Sequence, residues 1–376
     1  MEKNSYISAL NKIGQSIWYD NLSRDVLVSG KLSSYIQLGV SGLTSNPTIF
    51  KKAIADTNHY DTEILELATK GLSTEAICEE LMIKDVAAAA DLLRPVFEAS
   101  SGEDGYASIE VSPHLARDTE GTVKAAEKLW RKLGRSNIMI KVPATEEGLP
   151  AIETLLSNGI NVNVTLIFSV QTYELVAHAY LRALRSRSRN GETLKFVSSV
   201  ASFFVSRVDS LFEDTWKSMQ VQGKLLDRDS KPYLGKLGIA NSKIAYASFL
   251  DIFGTSQFLD LKKEGAKLQR PLWASTGVKN PAYNPLLYVE NLVGKDTVNT
   301  LPPQTLDKLL EKASIKPRIT EDLDAASSLI ASLSAKGINF SNLLDQLQEN
   351  GVKLFADSYD ELLQSIARKK ESLKRY

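Results

Sequence analysis

Short apolar or alternating stretches recur along this chain, separated by longer segments with helical spacing, the pattern of parallel strands joined by crossover helices. Strands are predicted near residues 15–21, 40–46, 106–112, 137–143, 161–168, 194–204 and 270–277, with a weaker eighth around Asn299 to Leu301. Between them, Ser73 and Thr74 precede an apolar run, Pro95 interrupts one, and Gly134 and Gly159 stand where helices should stop. Eight strands with interleaved helices predict an α/β fold, a single (β/α)8 TIM barrel.

The longest connection, residues 47–105, carries helical candidates at 60–70, 74–82 and 84–98, and a second long excursion runs from Ser210 to Gln269. Near the end, Tyr359, Leu362, Leu363 and Ile366 fall at helical spacing after Asp357 and Ser358, which predicts a capped amphipathic helix covering one barrel mouth. The expected organisation is one barrel domain over residues 1–376 with an extra N-terminal segment, additional helices, and a C-terminal helical extension over 317–376. No internal repeat, low-complexity segment or flexible linker divides it.

Side chains alternate faces along a strand, so parity sorts the inside of a barrel from the face beneath the helices. In the fifth strand Val162, Val164, Leu166 and Phe168 share the outward face, leaving Asn161, Asn163, Thr165 and Ile167 inside. Ile109 and Val111 turn outward, which places Ser108, Glu110 and Ser112 inside; Lys141 likewise opposes Ile138, Ile140 and Val142. Asp20, Asn46, Ser202 and Ser275 fall on the same inner face, each near the carboxyl end of its strand, where barrels of this kind build their sites. Phe204 sorts inward beside Ser202 and brings no hydroxyl.

A lysine inside that polar ring has definite chemistry. Desolvation favours its neutral amine, which attacks carbonyls, while nearby carboxylates push the other way. An amine, two carboxylates and several hydroxyl and amide groups are the parts of a Schiff-base cycle: one attacks, others move protons, and the amides hold hydroxyls.

Composition narrows the rest. Apolar residues are 43% and charged residues 24% of the 376, enough for a large core. Forty-five basic residues balance forty-five acidic ones, so no long-range field gathers nucleic acid. The single cysteine, Cys78, forms neither an internal disulfide nor a thiolate cluster, which fits a reducing cytoplasm. Met1 to Asn11 has no leader-like apolar run, and no stretch reaches the length of a membrane span. His59, His114 and His178 lack metal-ligand spacing, and Gly102 to Gly105 is too short and acidic for a nucleotide loop. Neither a metal nor a cofactor is expected.

Five segments then carry a resemblance: GLTSNPTIF at Gly42 to Phe50, IKVPAT at Ile140 to Thr145, NVTLIFS at Asn163 to Ser169, SFFVSR at Ser202 to Arg207, and ASTGVKNPAY at Ala274 to Tyr283. In this order, at the ends of successive predicted strands, they resemble transaldolases of the longer bacterial type over nearly the whole chain. The resemblance implies Lys141 as the Schiff-base lysine, Asp20 as the acid/base of carbon–carbon cleavage, and Glu110 with Thr165 as the pair positioning a water. It also implies Asn46, Asn163 and Ser202 as holders of substrate hydroxyls and Arg207 and Ser275 as phosphate ligands. Lys279 is the candidate second cation, although Gly277 and Val278 separate it from Thr276 unlike the spacing in shorter transaldolases. The implied activity moves a dihydroxyacetone unit from sedoheptulose 7-phosphate or fructose 6-phosphate to glyceraldehyde 3-phosphate or erythrose 4-phosphate. That reaction serves the non-oxidative pentose phosphate pathway, without cofactor, in a cytoplasmic monomer or homodimer with sugar phosphates as its only partners.

Other readings stand beside these. Lys141 could be a snorkelling strand-end lysine, Asp20 and Glu110 structural ion-pair partners, Asn46 a turn former before Pro47, and Arg207 a salt-bridge partner of Asp209 or Glu213. Phe204 reads more simply as barrel core than as a substrate contact. For the whole chain, the alternatives are a Schiff-base fructose-6-phosphate aldolase, a lyase, and a non-catalytic sugar-phosphate-binding barrel.

Overall fold

The computed structural model describes residues 4–373. Met1 to Lys3 of the polar opening segment and residues 374–376 lie outside the described residues. Eight parallel strands close into a barrel in sequence order: β1 (Gln15–Asp20), β2 (Gly42–Thr44), β3 (Ala107–Glu110), β4 (Ile138–Pro143), β5 (Val162–Ile167), β6 (Ser199–Phe204), β7 (Arg270–Ala274) and β8 (Thr297–Leu301). With helices between the strands, this is the expected (β/α)8 barrel. Each strand overlaps its predicted span, β8 included; β2 and β6 are shorter than expected, three and six residues.

Two apolar layers follow from strand alternation. Outward-facing Ile17, Ile109, Ile140, Val142, Val162, Val164 and Phe203 pack beneath the surrounding helices. Inward-facing Trp18, Tyr106, Met139, Val200, Leu272 and Val298 fill the barrel as a second cluster. Trp18 explains Gly42, because a Cβ at Gly42 would sit 2.4 Å from the indole ring. Below that plug, Asp104 accepts bonds from Trp18 Nε1 at 2.6 Å, Ser41 Oγ at 2.9 Å and Ser16 Oγ, so the amino-terminal mouth is closed by a satisfied polar cluster. Open space remains at the carboxyl end.

The fifth strand departs from simple parity. Its pairing with β6 shifts between Val164 and Ile167, and Leu166 takes a left-handed φ of 58°. The bulge reverses the faces beyond Thr165: Leu166 and Phe168 join the inner cluster and Ile167 the outer one, opposite to the alternation expected for those three residues. Asn163 and Thr165 precede the break and stay inside.

The helices also differ in detail from expectation. Ser73 caps a single helix, Thr74–Ala99, that spans both predicted candidates and continues through Pro95. Proline near a helix's last turns removes one backbone donor, and burial of Leu81, Val86, Ala89, Ala90 and Leu93 along the same helix outweighs that local loss. The C-terminal helix is longer than predicted, Phe340–Leu373. Asp357 and Ser358 are therefore mid-helix and not its cap: Asp357 pairs with Lys353 at 2.5 Å, and buried Ser358 accepts from Thr48 Oγ1 at 2.9 Å. Further ties, Lys51–Glu361 at 2.5 Å and Gln348 Nε2 to Ala144 O at 2.6 Å, lay this helix across the carboxyl-terminal mouth. Among the described residues no helix is long and apolar enough to cross a membrane.

Candidate active site

A cavity of about 680 Å³ opens at that mouth. Its wall includes Asp20, Asn46, Lys141, Thr165, Ser202, Phe204, Arg207, Ser275 and Lys279. Glu110 and Asn163 stand behind this wall, in contact with residues that line it. Barrel register places them: Glu110 on β3, Lys141 on β4 and Asn163 on β5 are successive partners across the sheet. Lys141 Nζ donates to Ser45 O at 3.0 Å and lies 3.4 Å from Glu110 Oε2, with the two side chains 6% and 4% exposed. Apart from that ion pair, Glu110 Oε2 has no hydrogen-bond partner among the described residues, and neither has buried Thr165 Oγ1.

On the far side, Asp20 Oδ1 accepts from Thr44 Oγ1 at 2.7 Å, and Thr44 Oγ1 meets Thr300 Oγ1 at 2.6 Å. Deeper, Ser202 Oγ donates to Asn163 Oδ1 at 2.6 Å, while Asn163 Nδ2 donates to Ser108 Oγ at 3.1 Å. That chain orients the Asn163 amide. Asn46 both lines the cavity and caps the helix Pro47–Ala55, accepting from Ile49 N at 3.0 Å, so its turn-forming and site-lining readings coexist. Ser112 lies beyond the end of β3 and outside the cavity wall.

Arg207 lies in the first turn of the helix Ser206–Val221, just after β6. Its guanidinium stacks 5.1 Å from the Phe204 ring and 5.8 Å from the Phe355 ring and makes no hydrogen bond or ion pair with a described residue. The salt bridges considered for it do not form, because both carboxylates are engaged elsewhere. Asp209 accepts from Leu237 N at 3.0 Å, Gly238 N at 3.3 Å and Tyr288 Oη at 2.9 Å. Glu213 accepts from Tyr283 Oη at 2.6 Å and Asn280 Nδ2 at 3.1 Å. Ser275, in a left-handed conformation at φ 55°, meets Ser206 Oγ at 3.0 Å beside Arg207. Exposed Lys279 completes the cationic rim and makes no ion pair among the described residues.

Burial governs the electrostatics. It pushes the Asp20 carboxyl up, opposed by the Thr44 hydrogen bond and the charges of Lys141, Arg207 and Lys279. Burial raises Glu110 also, with Lys141 pulling the other way. Desolvation lowers Arg207, partly offset by Asp20 and Glu110. Asp209, buried beneath, is pushed up to about 7 despite its three hydrogen bonds. Two carboxyls are thus disposed to hold protons beside an amine.

The structure gathers the sequence-predicted site residues at one mouth, with Glu110 and Asn163 one step behind the cavity surface. It adds several that periodicity did not single out: Thr44, Thr300, Lys52, His59 and, from the C-terminal helix, Leu354 and Phe355. Thr44 carried a signal, since it lies inside the GLTSNPTIF segment on the inner face of β2. His114 and His178 lie on the surface, His114 paired with Asp360 at 2.7 Å.

A parallel eight-stranded barrel with a lysine, two acids and an arginine at its carboxyl mouth defines a (β/α)8-barrel enzyme. Residues 17–366 match the family described as Transaldolase/Fructose-6-phosphate aldolase, and the chain belongs to that family. It is 43% identical over 376 residues to the transaldolase of Saccharopolyspora erythraea, covering 100% of both chains. The transaldolase of Thiobacillus denitrificans is 44% identical over 358 residues, 95% of this chain and 98% of that one. Transaldolase 2 of Nostoc punctiforme is 41% identical over 371 residues, 97% of each.

Proposed function

We propose that this chain is a transaldolase that carries a dihydroxyacetone unit on Lys141 from a ketose phosphate, such as sedoheptulose 7-phosphate or fructose 6-phosphate, to an aldose phosphate. The observation that carries the reading is the buried amine of Lys141, 3.4 Å from a carboxylate in a cavity whose arginine has no ion-pair partner among the described residues. Lys141 passes a proton to Glu110 and its neutral amine adds to the C2 carbonyl. The carbinolamine loses water as the imine forms, with Glu110 returning the proton to the departing hydroxyl. At the site, Glu110 Oε2 and Thr165 Oγ1 have no hydrogen-bond partner among the described residues, which supports these residues as the pair that binds this water.

Asp20 takes the C4 hydroxyl proton as the C3–C4 bond breaks. The electron pair enters the imine, an aldose phosphate leaves, and an enamine remains on Lys141. The enamine carbon then attacks the acceptor aldehyde, Asp20 returns the proton to the new alkoxide, and water hydrolyses the imine. Asn46, Asn163 and Ser202 would hold the hydroxyls, with Arg207, Ser275 and Lys279 on the phosphate. This reading includes a place in the non-oxidative pentose phosphate pathway.

The test supplies fructose 6-phosphate with and without erythrose 4-phosphate. Transfer requires sedoheptulose 7-phosphate to form, with glyceraldehyde 3-phosphate released many-fold faster when the acceptor is present. Cleavage at the same rate without acceptor, with free dihydroxyacetone accumulating, would identify a lyase instead.

A further inference from the structure

The C-terminal helix does more than cover the mouth. One residue of it, Phe355, is 3% exposed and lies against both ends of the site: its ring centroid is 5.9 Å from Lys141 Nζ and 5.8 Å from the Arg207 guanidinium. The same side chain borders the main cavity and a second, much smaller void of about 10 Å³ that also touches Glu110 and Leu166. One aromatic ring thus backs the amine, its acid partner and Arg207.

We propose that Phe355 is a specificity and positioning residue: its ring roofs the stretch between Lys141 and Arg207, holds Arg207 in place by stacking together with Phe204, and keeps water off the lysine-bound intermediate. The inference rests on the proposed transfer reaction and goes beyond it by assigning a role to a residue outside the barrel. A guanidinium with no polar partner among the described residues needs something else to fix it, and two aromatic rings do so while leaving its N–H groups for an anion. The helix is anchored on either side of Phe355, by Gln348 on Ala144 O and by Ser358 on Thr48. Gly351 permits this approach, since a Cβ there would stand 2.9 Å from Leu166 Cδ2. Leu354 also borders the cavity but is 46% exposed, so the buried ring and not its neighbour forms the roof.

The test compares Phe355→Leu and Phe355→Tyr with the intact chain, using fructose 6-phosphate and unphosphorylated fructose as donors, each with and without erythrose 4-phosphate. Loss of the ring in Phe355→Leu should raise KM for fructose 6-phosphate about tenfold, as expected for removing a partly desolvated cation–π contact. KM for fructose should stay near its original value, and acceptor-free dihydroxyacetone release should rise several-fold relative to transfer. Phe355→Tyr, which retains the ring, should keep the original KM for fructose 6-phosphate. Should Phe355→Leu fail to fold, Phe355→Met supplies an unbranched apolar replacement with the same expectations.

Unchanged KM and unchanged partition in the ring-less variant would overturn the proposal. Equal losses on both donors with the original partition would do the same, because they would mark Phe355 as a packing residue only. If the intact chain itself performs no transfer, the failure belongs to the underlying reaction and not to Phe355.

Discussion

Lys141 Nζ stands 3.4 Å from Glu110 Oε2 across adjacent strands, and the two side chains are nearly sealed from solvent. A buried ion pair at this separation is costly to assemble and easy to neutralise by proton transfer. That property is what the proposed nucleophilic addition by Lys141 requires.

If Lys141 is the nucleophile, borohydride added with a ketose phosphate should trap a covalent adduct on that side chain alone. Peptide mapping of the reduced protein locates it. An adduct on another lysine, or full activity in Lys141→Met, would remove the assignment.

Glu110→Gln keeps the shape of the side chain but cannot accept a proton. Its turnover should fall by roughly 10²- to 10⁴-fold, the usual contribution of a placed acid or base, with KM for fructose 6-phosphate nearly unchanged. A variant with normal kcat and a raised KM would make Glu110 a binding residue.

Among the described residues Arg207 meets no carboxylate, which leaves its donors for a phosphate. Arg207→Ala should raise KM for fructose 6-phosphate by roughly 10- to 100-fold, the worth of charged hydrogen bonds, while leaving turnover of unphosphorylated donors close to normal. Equal damage on both donor types would reassign Arg207 to structure.

Asp209 gives the pH dependence. Its folded-state value, about 7, lies above the roughly 3.9 of an unfolded aspartate, so the folded protein retains a proton that the unfolded chain has lost. Stability from this group is present below about pH 4 and is lost as pH rises towards 7. Denaturant midpoints measured across that window should show a downward contribution that is absent in Asp209→Asn. Identical pH profiles for the two proteins would exclude it.

Strand order and the placement of most candidate site residues were legible in the sequence because each depends on a local rule. Alternation with period two sends Glu110 inward once Ile109 is buried outward, and the same rule places Lys141 between Ile140 and Val142. Asp20 and Thr165 follow from it equally. The conserved geometry of a parallel barrel then brings the carboxyl ends of all eight strands to one mouth without further information.

What the tertiary structure alone decided lies where local periodicity is overruled by distant partners. Leu166 changes face because β5 must shift register against β6, a constraint set by a strand whose paired residues begin at Ser199. The C-terminal helix starts at Phe340, well before the apolar repeat that announced it, because its early turns pack on the barrel mouth and the inner cluster. Phe355 reaches Lys141 across more than two hundred residues of sequence for the same reason. Periodicity reports which face of an element is apolar, whereas the partner that covers the face is chosen by packing of the whole chain.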